Sequence, residues 1–133
     1  MKKLLVPKEV SHIMAAYSPG VSFDVGDSVM IFVTGQIAKD EDGNIVGPGD
    51  ITKQTEFVFR QIENILTEAG ATLEDVVKAV IYITDMSKYK EASMVRNKYF
   101  ATSKPVSTLV EINRTVTEGC DIEIEVIAIK KKQ

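Results

Sequence analysis

Cysteine and histidine are nearly absent from this chain of 133 residues, which contains one of each. The single Cys120 cannot form an internal disulfide, and it excludes the cysteine spacings of a zinc ribbon. The single His12 excludes a metal site with several histidine ligands, and we interpret it as a surface or partly packed imidazole. We therefore expect no metal site.

The chain also lacks an excess of positive charge and a long hydrophobic run. Its 16 Lys and Arg residues stand against 19 Asp and Glu, and no basic stretch is interleaved with aromatic residues. Because phosphate contacts supply most nucleic-acid affinity, this balance argues against a nucleic-acid partner. The apolar run in MKKLLVP is too short for a signal peptide or a membrane span. We expect a soluble, cytoplasmic protein with no membrane partner.

Motifs of common nucleotide-binding and hydrolase folds are missing as well. The sequence has no phosphate-binding loop, no dinucleotide fingerprint, no G-x-S-x-G and no internal repeat. What it does have is a hydrophobic content of 44%, together with ordinary charge. This composition predicts one globular domain over residues 1–133.

The clearest regular element is a helix at the start of residues 50–86. Its apolar residues recur at helical spacing and predict one buried stripe: Val58, Ile62, Ile65, Leu66 and Ala69. Asp50 or Thr52 can cap the start of this helix. Gly70 follows the stripe, where a residue in the left-handed conformation commonly ends a helix.

A strand is predicted at residues 76–84, where β-branched and aromatic residues are dense. Alternation places four apolar residues on the face that suits the helix: Val77, Ala79, Ile81 and Ile83. The opposite face includes Val80 and Tyr82 and therefore also needs covering. Since so short a chain has few spare elements, we expect a second subunit to cover it.

The other elements complete an α+β pattern. Strands are predicted at residues 4–6, 21–25, 28–37, 106–112 and 121–130, with a hairpin turn at residues 26–27. A second helix, capped by Asp85 or Ser87, has apolar residues on one side: Tyr89, Ala92, Val95, Tyr99 and Phe100. We predict a mixed sheet with both helices on one face.

Two interruptions of this pattern are candidate functional positions. Thr34 and Gly35 break the apolar strand at residues 28–37. A glycine inside a strand marks a bulge or a close backbone approach. Here it either offers a backbone N–H to a ligand or is simply the end of the strand. In the last strand, Glu123 and Glu125 share a face with aliphatic residues. They form either a solvated strand end or the edge of a pocket, where partial burial would suit a carboxyl to acid–base work.

Several blocks of the sequence resemble one known family. They are AAYSPGV, VTGQI, the stretch from QTEFVFRQIENILTEAG to NKYF, and DIEIEVIAI, and together they span most of the chain. These blocks are similar to the RidA family, also called YjgF or L-PSP. The resemblance implies a chorismate-mutase-like fold and a homotrimer with clefts between subunits, the other sheet faces forming a central barrel. It also implies cofactor-free hydrolysis of reactive imines and enamines to ammonia and a 2-oxo acid.

The resemblance also assigns residues to the cleft. Tyr17 matches the tyrosine of the family motif G-P-Y-S, although Ala15 and Ala16 stand in place of its glycine and proline. Thr34 and Gly35 match the S-G of S-G-Q-I, where the Gly35 N–H would face the substrate. Glu123 matches the glutamate that orients or activates water. By this resemblance Glu123 is the candidate catalytic residue, and the others bind substrate.

The chain departs from the family after Pro105. Deaminases of the family have P-A-R-S or P-A-R-T there, with the arginine binding the substrate carboxylate, whereas this chain has Ser107 at the arginine position, followed by Thr108. A hydroxyl cannot reproduce the two charge-assisted hydrogen bonds of a guanidinium. Lys104 and Arg114 are nearby in sequence but do not match the position. Ser107 and Thr108 either bind a different ligand or are ordinary strand hydroxyls at an interface.

The sequence therefore predicts a homotrimeric hydrolase or deaminase that acts on a small C=N or C=O compound other than the usual 2-imino acids. One alternative is a non-catalytic module that binds a metabolite in the same cleft. A ribonuclease or translation-inhibitor activity is a third possibility, suggested by family names, and the acidic charge balance argues against it.

Overall fold

A computed structural model describes residues 1–10 and 15–133 of the chain, so the interpretation of His12 lies outside the described residues. The strands are β1 (Lys2–Leu5), β2 (Gly20–Val25), β3 (Ser28–Ile37), β4 (Val76–Ile83), β5 (Val106–Glu111) and β6 (Ile122–Lys131). The helices are α1 (Ile51–Thr67) and α2 (Tyr89–Tyr99), with short 3-10 turns at Lys8–Val10, Leu73–Asp75 and Met86–Lys88.

The strands form one mixed sheet in the order β1-β2-β3-β6-β4-β5. β4 and β5 are parallel, and the other neighbouring pairs are antiparallel. The parallel pair is connected through α2, as a parallel connection requires. The α+β class and the mixed sheet predicted from the sequence are thus confirmed, and β3 and β6 occupy its centre.

Helix α1 covers one face of the sheet with the predicted apolar stripe, except that Ala69 lies beyond the end of the helix and is half-buried. Val58, Ile62, Ile65 and Leu66 have no exposed surface. The helix begins where the Asp50 side chain accepts a hydrogen bond from the Lys53 N–H, at 3.0 Å. Sheet residues facing α1 are buried equally well: Ile31, Val33, Ile122, Ile124, Val126 and Ala128. This layer forms the hydrophobic core.

Two details of the predicted faces are wrong. Val76, with 2% of its surface exposed, faces the core in place of Val77, which is 42% exposed. The pairing of β4 with β6 shifts register between Val76 and Lys78, and this bulge reverses the alternation. Tyr89 is exposed because Asp85 caps a 3-10 turn and α2 starts only at Tyr89, so its first residue lies outside the buried stripe. The cap predicted for the second helix is therefore wrong as well, since the N-cap residue of α2 is Lys88, which makes no side-chain cap hydrogen bond.

The opposite face of the sheet is not covered by either helix. Several of its apolar side chains keep much of their surface exposed: Leu4 56%, Ile129 41% and Val110 40%. Val80, Tyr82, Phe32 and Ile127 are half-buried. Contiguous apolar surface of this kind is typical of an interaction face. Among the described residues, neither helix is long and apolar enough to cross a membrane.

Candidate functional site

A β-bulge brings Thr34 and Gly35 to the surface of the sheet. Val33 pairs with Val126 and Gln36 with Ile124, so β3 advances three residues while β6 advances two. The Thr34 hydroxyl donates to the Ser18 carbonyl oxygen at 2.7 Å, and the Thr34 N–H donates to the Pro19 carbonyl oxygen at 2.8 Å. The bulge is therefore bound to the segment that follows Tyr17, and it brings this tyrosine beside the strand.

Gly35 lies directly against the side chain of Glu123. A Cβ at position 35 would lie 2.9 Å from both Cγ and Cδ of Glu123 and closer still to its carboxylate oxygen. Ordinary contacts between carbon atoms are about 3.5–4.0 Å. The sequence signal of a glycine inside a strand thus corresponds to both a bulge and a close approach, and only glycine leaves the Glu123 carboxyl in this position.

Tyr17, Thr34, Gly35 and Glu123 line one cavity with a volume of about 510 Å³. Four of the six residues singled out from the sequence are thus brought together within one chain. The other described residues that line this cavity are Val10, Ala15, Gln36, Ile37, Lys39, Gln61, Val116 and Thr117. The size is within the range of cavities that hold small molecules.

Sequence reasoning missed Gln61, which lies on the wall of this cavity. Its Nε2 donates to Gln36 Oε1 at 3.1 Å, and only 6% of the residue is exposed. A glutamine on the core side of an amphipathic helix was the available signal, because a buried amide must find a partner. Lys39, Val116 and Thr117 had no such signal, since the path of a loop does not follow from periodicity.

The carboxyl of Glu123 is electrostatically perturbed. Burial raises its pKa first, and the negative charge of Glu125 raises it further. A carboxyl with a raised pKa exchanges protons closer to neutral pH than an exposed glutamate, which suits it to general acid–base chemistry. Of the two sequence interpretations of this strand, the geometry favours the edge of a pocket.

Ser107 and Thr108 lie elsewhere in the chain. They belong to β5, which β4 separates from β6. Ser107 pairs with buried Ala79, whereas Thr108 pairs with Val80, so the two side chains point to opposite faces of the sheet. Neither residue lines the cavity of Glu123. A single chain therefore does not bring these two predicted residues to the catalytic candidate.

A different cavity, of about 440 Å³, contains Ser107 together with Lys104 and Arg96. Arg96 donates from Nη2 to Ser93 Oγ at 2.7 Å and from Nε to Asn97 Oδ1 at 3.1 Å. Lys104 has a backbone φ of 43°, in the left-handed region that non-glycine residues rarely adopt. Of the two cations considered from the sequence, Lys104 shares the cavity of Ser107, whereas Arg114 lines another one.

Metal or thiol chemistry has no support in the described residues. Residues 1–10 and 15–133 contain no cluster of three or more His, Cys, Asp or Glu side chains that could hold a metal ion. Cys120 is buried, and burial raises the pKa of its thiol. A thiol of this kind is unreactive, because the nucleophile is the thiolate.

Comparison with known proteins now identifies the family. Residues 9–130 match the family model described as Endoribonuclease L-PSP. A RutC family protein of Pyrococcus abyssi is 36% identical over 130 residues, which cover 98% of each chain. This chain belongs to the RidA/YjgF/L-PSP family. That finding confirms the family predicted from the sequence.

Solved structures of other RidA-family proteins have the same fold. The crystal structure of yeast Mmf1 has a TM-score of 0.86 and 30% identity, covering 98% of this chain and 100% of that one. Yeast MMF1 is named as a mitochondrial protein, so the cytoplasmic location expected here stays a prediction. A protein of unknown function from the conserved Rid family, YyfA of Yersinia pestis, has a TM-score of 0.85 and 30% identity, covering 96% and 98%.

Proposed function

We propose that this RidA-family protein hydrolyses a reactive imine, enamine or related C=N or C=O compound, with Glu123 as its acid–base residue. The main support is the position of the Glu123 carboxyl, which is partly buried and packed on Gly35 in a cavity of about 510 Å³. Burial and the charge of Glu125 raise its pKa, and this favours reversible proton transfer.

The proposed reaction needs one carboxyl and one water. Glu123 accepts a proton as the water oxygen bonds to the electrophilic carbon, and the electron pair of the C=N bond moves to nitrogen. Glu123 then gives this proton to the nitrogen, which yields a carbinolamine. In a second transfer Glu123 takes the hydroxyl proton and passes it to the amine as the C–N bond breaks, so that the C=O bond forms and ammonia leaves. The bulge at Thr34 and Gly35 and the adjacent Tyr17 would orient the substrate, and no cofactor is required.

The functional unit that we propose is a homotrimer. The uncovered sheet face, with exposed Ile129 and Val110, would be buried between subunits as a central barrel. Ser107 and Thr108 lie on β5, at the edge of the sheet and outside the cavity of Glu123. We propose that the β5 edge of one subunit completes the cleft that contains Glu123 of its neighbour.

The substrate that we propose lacks the carboxylate of the usual 2-imino acids. A hydrogen bond to a charged group contributes about 1.5–3 kcal/mol, so losing the arginine pair weakens carboxylate binding by roughly 10² to 10⁴. Lys104 and Arg96 share the cavity of Ser107, but the Arg96 guanidinium already donates to Ser93 and Asn97. A neutral or differently charged group fits Ser107 better.

The test is ammonia release from freshly generated 2-iminopropanoate. We expect little turnover by the wild type and a gain in Ser107→Arg that is lost again when Glu123→Gln is added. Thr108→Arg is the matched control, because it introduces the same charge one residue along, on the opposite face of β5. Wild-type turnover equal to that of an arginine-bearing relative would refute the proposed substrate class.

A binding module is the second candidate, and the neutral Ser107 at the position of the family arginine favours it. If Glu123→Gln changes no turnover of any imine, enamine or amide while a ligand still binds, this candidate replaces the hydrolase. The family model is described as an endoribonuclease. The net charge of -3 gives no electrostatic support for RNA binding, and absent or salt-insensitive RNA binding would exclude that activity.

A further inference from the structure

Glu123 and Glu125 form a pair of carboxyls whose partners differ. They lie two residues apart on β6 and share the uncovered face of the sheet, so about 7 Å of strand separates them. Glu123 lines the cavity of about 510 Å³, whereas Glu125 lines an adjacent one of about 350 Å³. Tyr17 and Thr34 border both cavities. The two carboxyls therefore flank the same bulge.

Tyr82 binds only one member of this pair in the structure. It lies on β4 directly opposite Glu123 in the strand pairing, yet its hydroxyl donates to Glu125 Oε1, at 2.6 Å. Because a phenol donates strongly to a carboxylate, this hydrogen bond fixes the position of the Glu125 carboxyl. The same bond is the main reason why the pKa of Tyr82 is raised, so the hydroxyl stays protonated at neutral pH.

The other described residues on the cavity wall add no further negative charge beside Glu123. In the part of the chain that the structure describes, the titratable residues there besides Glu123 are Tyr17 and Lys39. Helix α1 contributes the neutral Gln61, and β3 contributes the glycine of the bulge. Burial and the charge of Glu125 account for the raised pKa of Glu123. The negative charge that raises the pKa of Glu123 is thus that of Glu125, and the Glu125 carboxyl accepts a hydrogen bond from Tyr82 on the neighbouring strand.

We propose that Tyr82 and Glu125 are positioning residues that keep a negative charge beside Glu123 and thereby make Glu123 the carboxyl that holds the exchangeable proton. Their hydrogen bond gives the two similar carboxyls different surroundings: Glu125 accepts from Tyr82, whereas Glu123 lies against Gly35 at the cavity. The contribution of this pair to catalysis rests on the proposed function. The electrostatic coupling itself does not, because it is a property of the folded protein.

The coupling can be measured directly by titrating the carboxyl ¹³C resonance of Glu123 in the intact protein. Glu125→Gln removes the charge but keeps an amide oxygen that can accept from Tyr82. For two charges about 7 Å apart, we expect the midpoint of Glu123 to fall by roughly 0.5–2 pH units. Tyr82→Phe should lower the Glu123 midpoint by a smaller amount, because the Glu125 carboxyl is then no longer held in place by this hydrogen bond. Glu74→Gln, in the 3-10 turn that precedes β4, is the charge control.

The outcomes separate this inference from the proposed function. A Glu123 midpoint in Glu125→Gln and Tyr82→Phe that matches the Glu74→Gln control, or that rises, overturns the inference. If a substrate is turned over, the acidic limb of the kcat/KM profile should move with the midpoint, which a merely structural role would not cause. If no imine is turned over but the midpoint falls, the proposed function fails and the coupling stands. Tyr82→Phe alone decides the matter if Glu125→Gln does not fold.

Discussion

Replacing Gly35 with alanine should displace the Glu123 carboxyl without unfolding the protein. The new Cβ would lie 2.9 Å from Glu123 Cγ and Cδ, whereas carbon atoms in contact are about 3.5 Å apart or more. The side chain must therefore withdraw by at least about 0.6 Å, and its carboxylate oxygen must move further because it lies closer. Glu123 borders a cavity, so the displaced carboxyl has space to move into.

The expected stability change is small because two contributions offset each other. A strained rotamer of Glu123 costs about 0.5–1.5 kcal/mol. Alanine in place of glycine removes conformational freedom from the unfolded chain and gains about 0.4–1 kcal/mol. We therefore expect the free energy of unfolding of Gly35→Ala to stay within about 1 kcal/mol of the wild type. A misplacement of about 1 Å can nevertheless reduce turnover by about 100-fold.

The control is Gly20→Ala, where the crowding is of a different kind. There the Cβ would lie 2.7 Å from Ile65 Cγ2 and 3.1 Å from the Phe32 carbonyl oxygen. Neither group can withdraw, because Ile65 is buried and the Phe32 oxygen belongs to a paired strand, so overpacking should cost about 1–3 kcal/mol. Gly35→Ala should thus change the Glu123 titration with little effect on urea unfolding. Gly20→Ala should lower the stability to urea and leave the Glu123 titration unchanged. An unchanged Glu123 midpoint and unchanged turnover in a folded Gly35→Ala protein would refute this reasoning.

Two further predictions concern the helix layer and the uncovered face. Desolvation, followed by the hydrogen bond that Tyr99 donates to Glu56 Oε2 at 2.6 Å, raises the pKa of Tyr99 to about 12. Since this pKa is raised above that of the unfolded chain, its stabilisation is present below pH 10 and should be lost as the pH approaches 12, by an amount on the order of 2 kcal/mol. Urea midpoints of Tyr99→Phe should lack that alkaline decline, and an identical decline in both proteins would contradict the assignment. For the uncovered face, sedimentation equilibrium should give a trimer for the wild type and a folded monomer for Ile129→Lys, whereas a monomeric wild type would refute the proposed assembly.

Local patterns in the sequence predicted much of the fold. Helix α1 could be placed because its stripe and its Asp50 cap depend on residues within a few turns of one another. The alternation of β6 predicted that Glu123 and Glu125 share one face of the strand, and in the structure the other face is the buried one. The alternation of β4 misplaced Val77, because its bulge arises from the pairing with β6 and leaves no periodic signal. A period of two predicts faces only where the ladder is regular.

The candidate site, like the fold, could be predicted from the sequence only in part. Gly35 inside β3 signalled a close approach, but nothing near it in sequence identified Glu123 as the group that approaches. The family resemblance pointed to Ser107 and Thr108 as partners of Glu123, whereas β4 separates them from β6 within one chain. From the sequence, Tyr82 was predicted only to lie with Val80 on the face opposite the helix. Its hydrogen bond to Glu125 could not be foreseen.

The sequence by itself determined the kinds of elements, the cap of α1, the family and the candidate residues for chemistry, because these depend on residue type and short-range spacing. Only the tertiary structure decided the strand order, the register of the bulge and which carboxyl lies beside which donor. Those features join residues as distant in the chain as Tyr82 and Glu125. They result from the packing of the whole sheet, since a strand of given pattern can pair with any neighbour of suitable register.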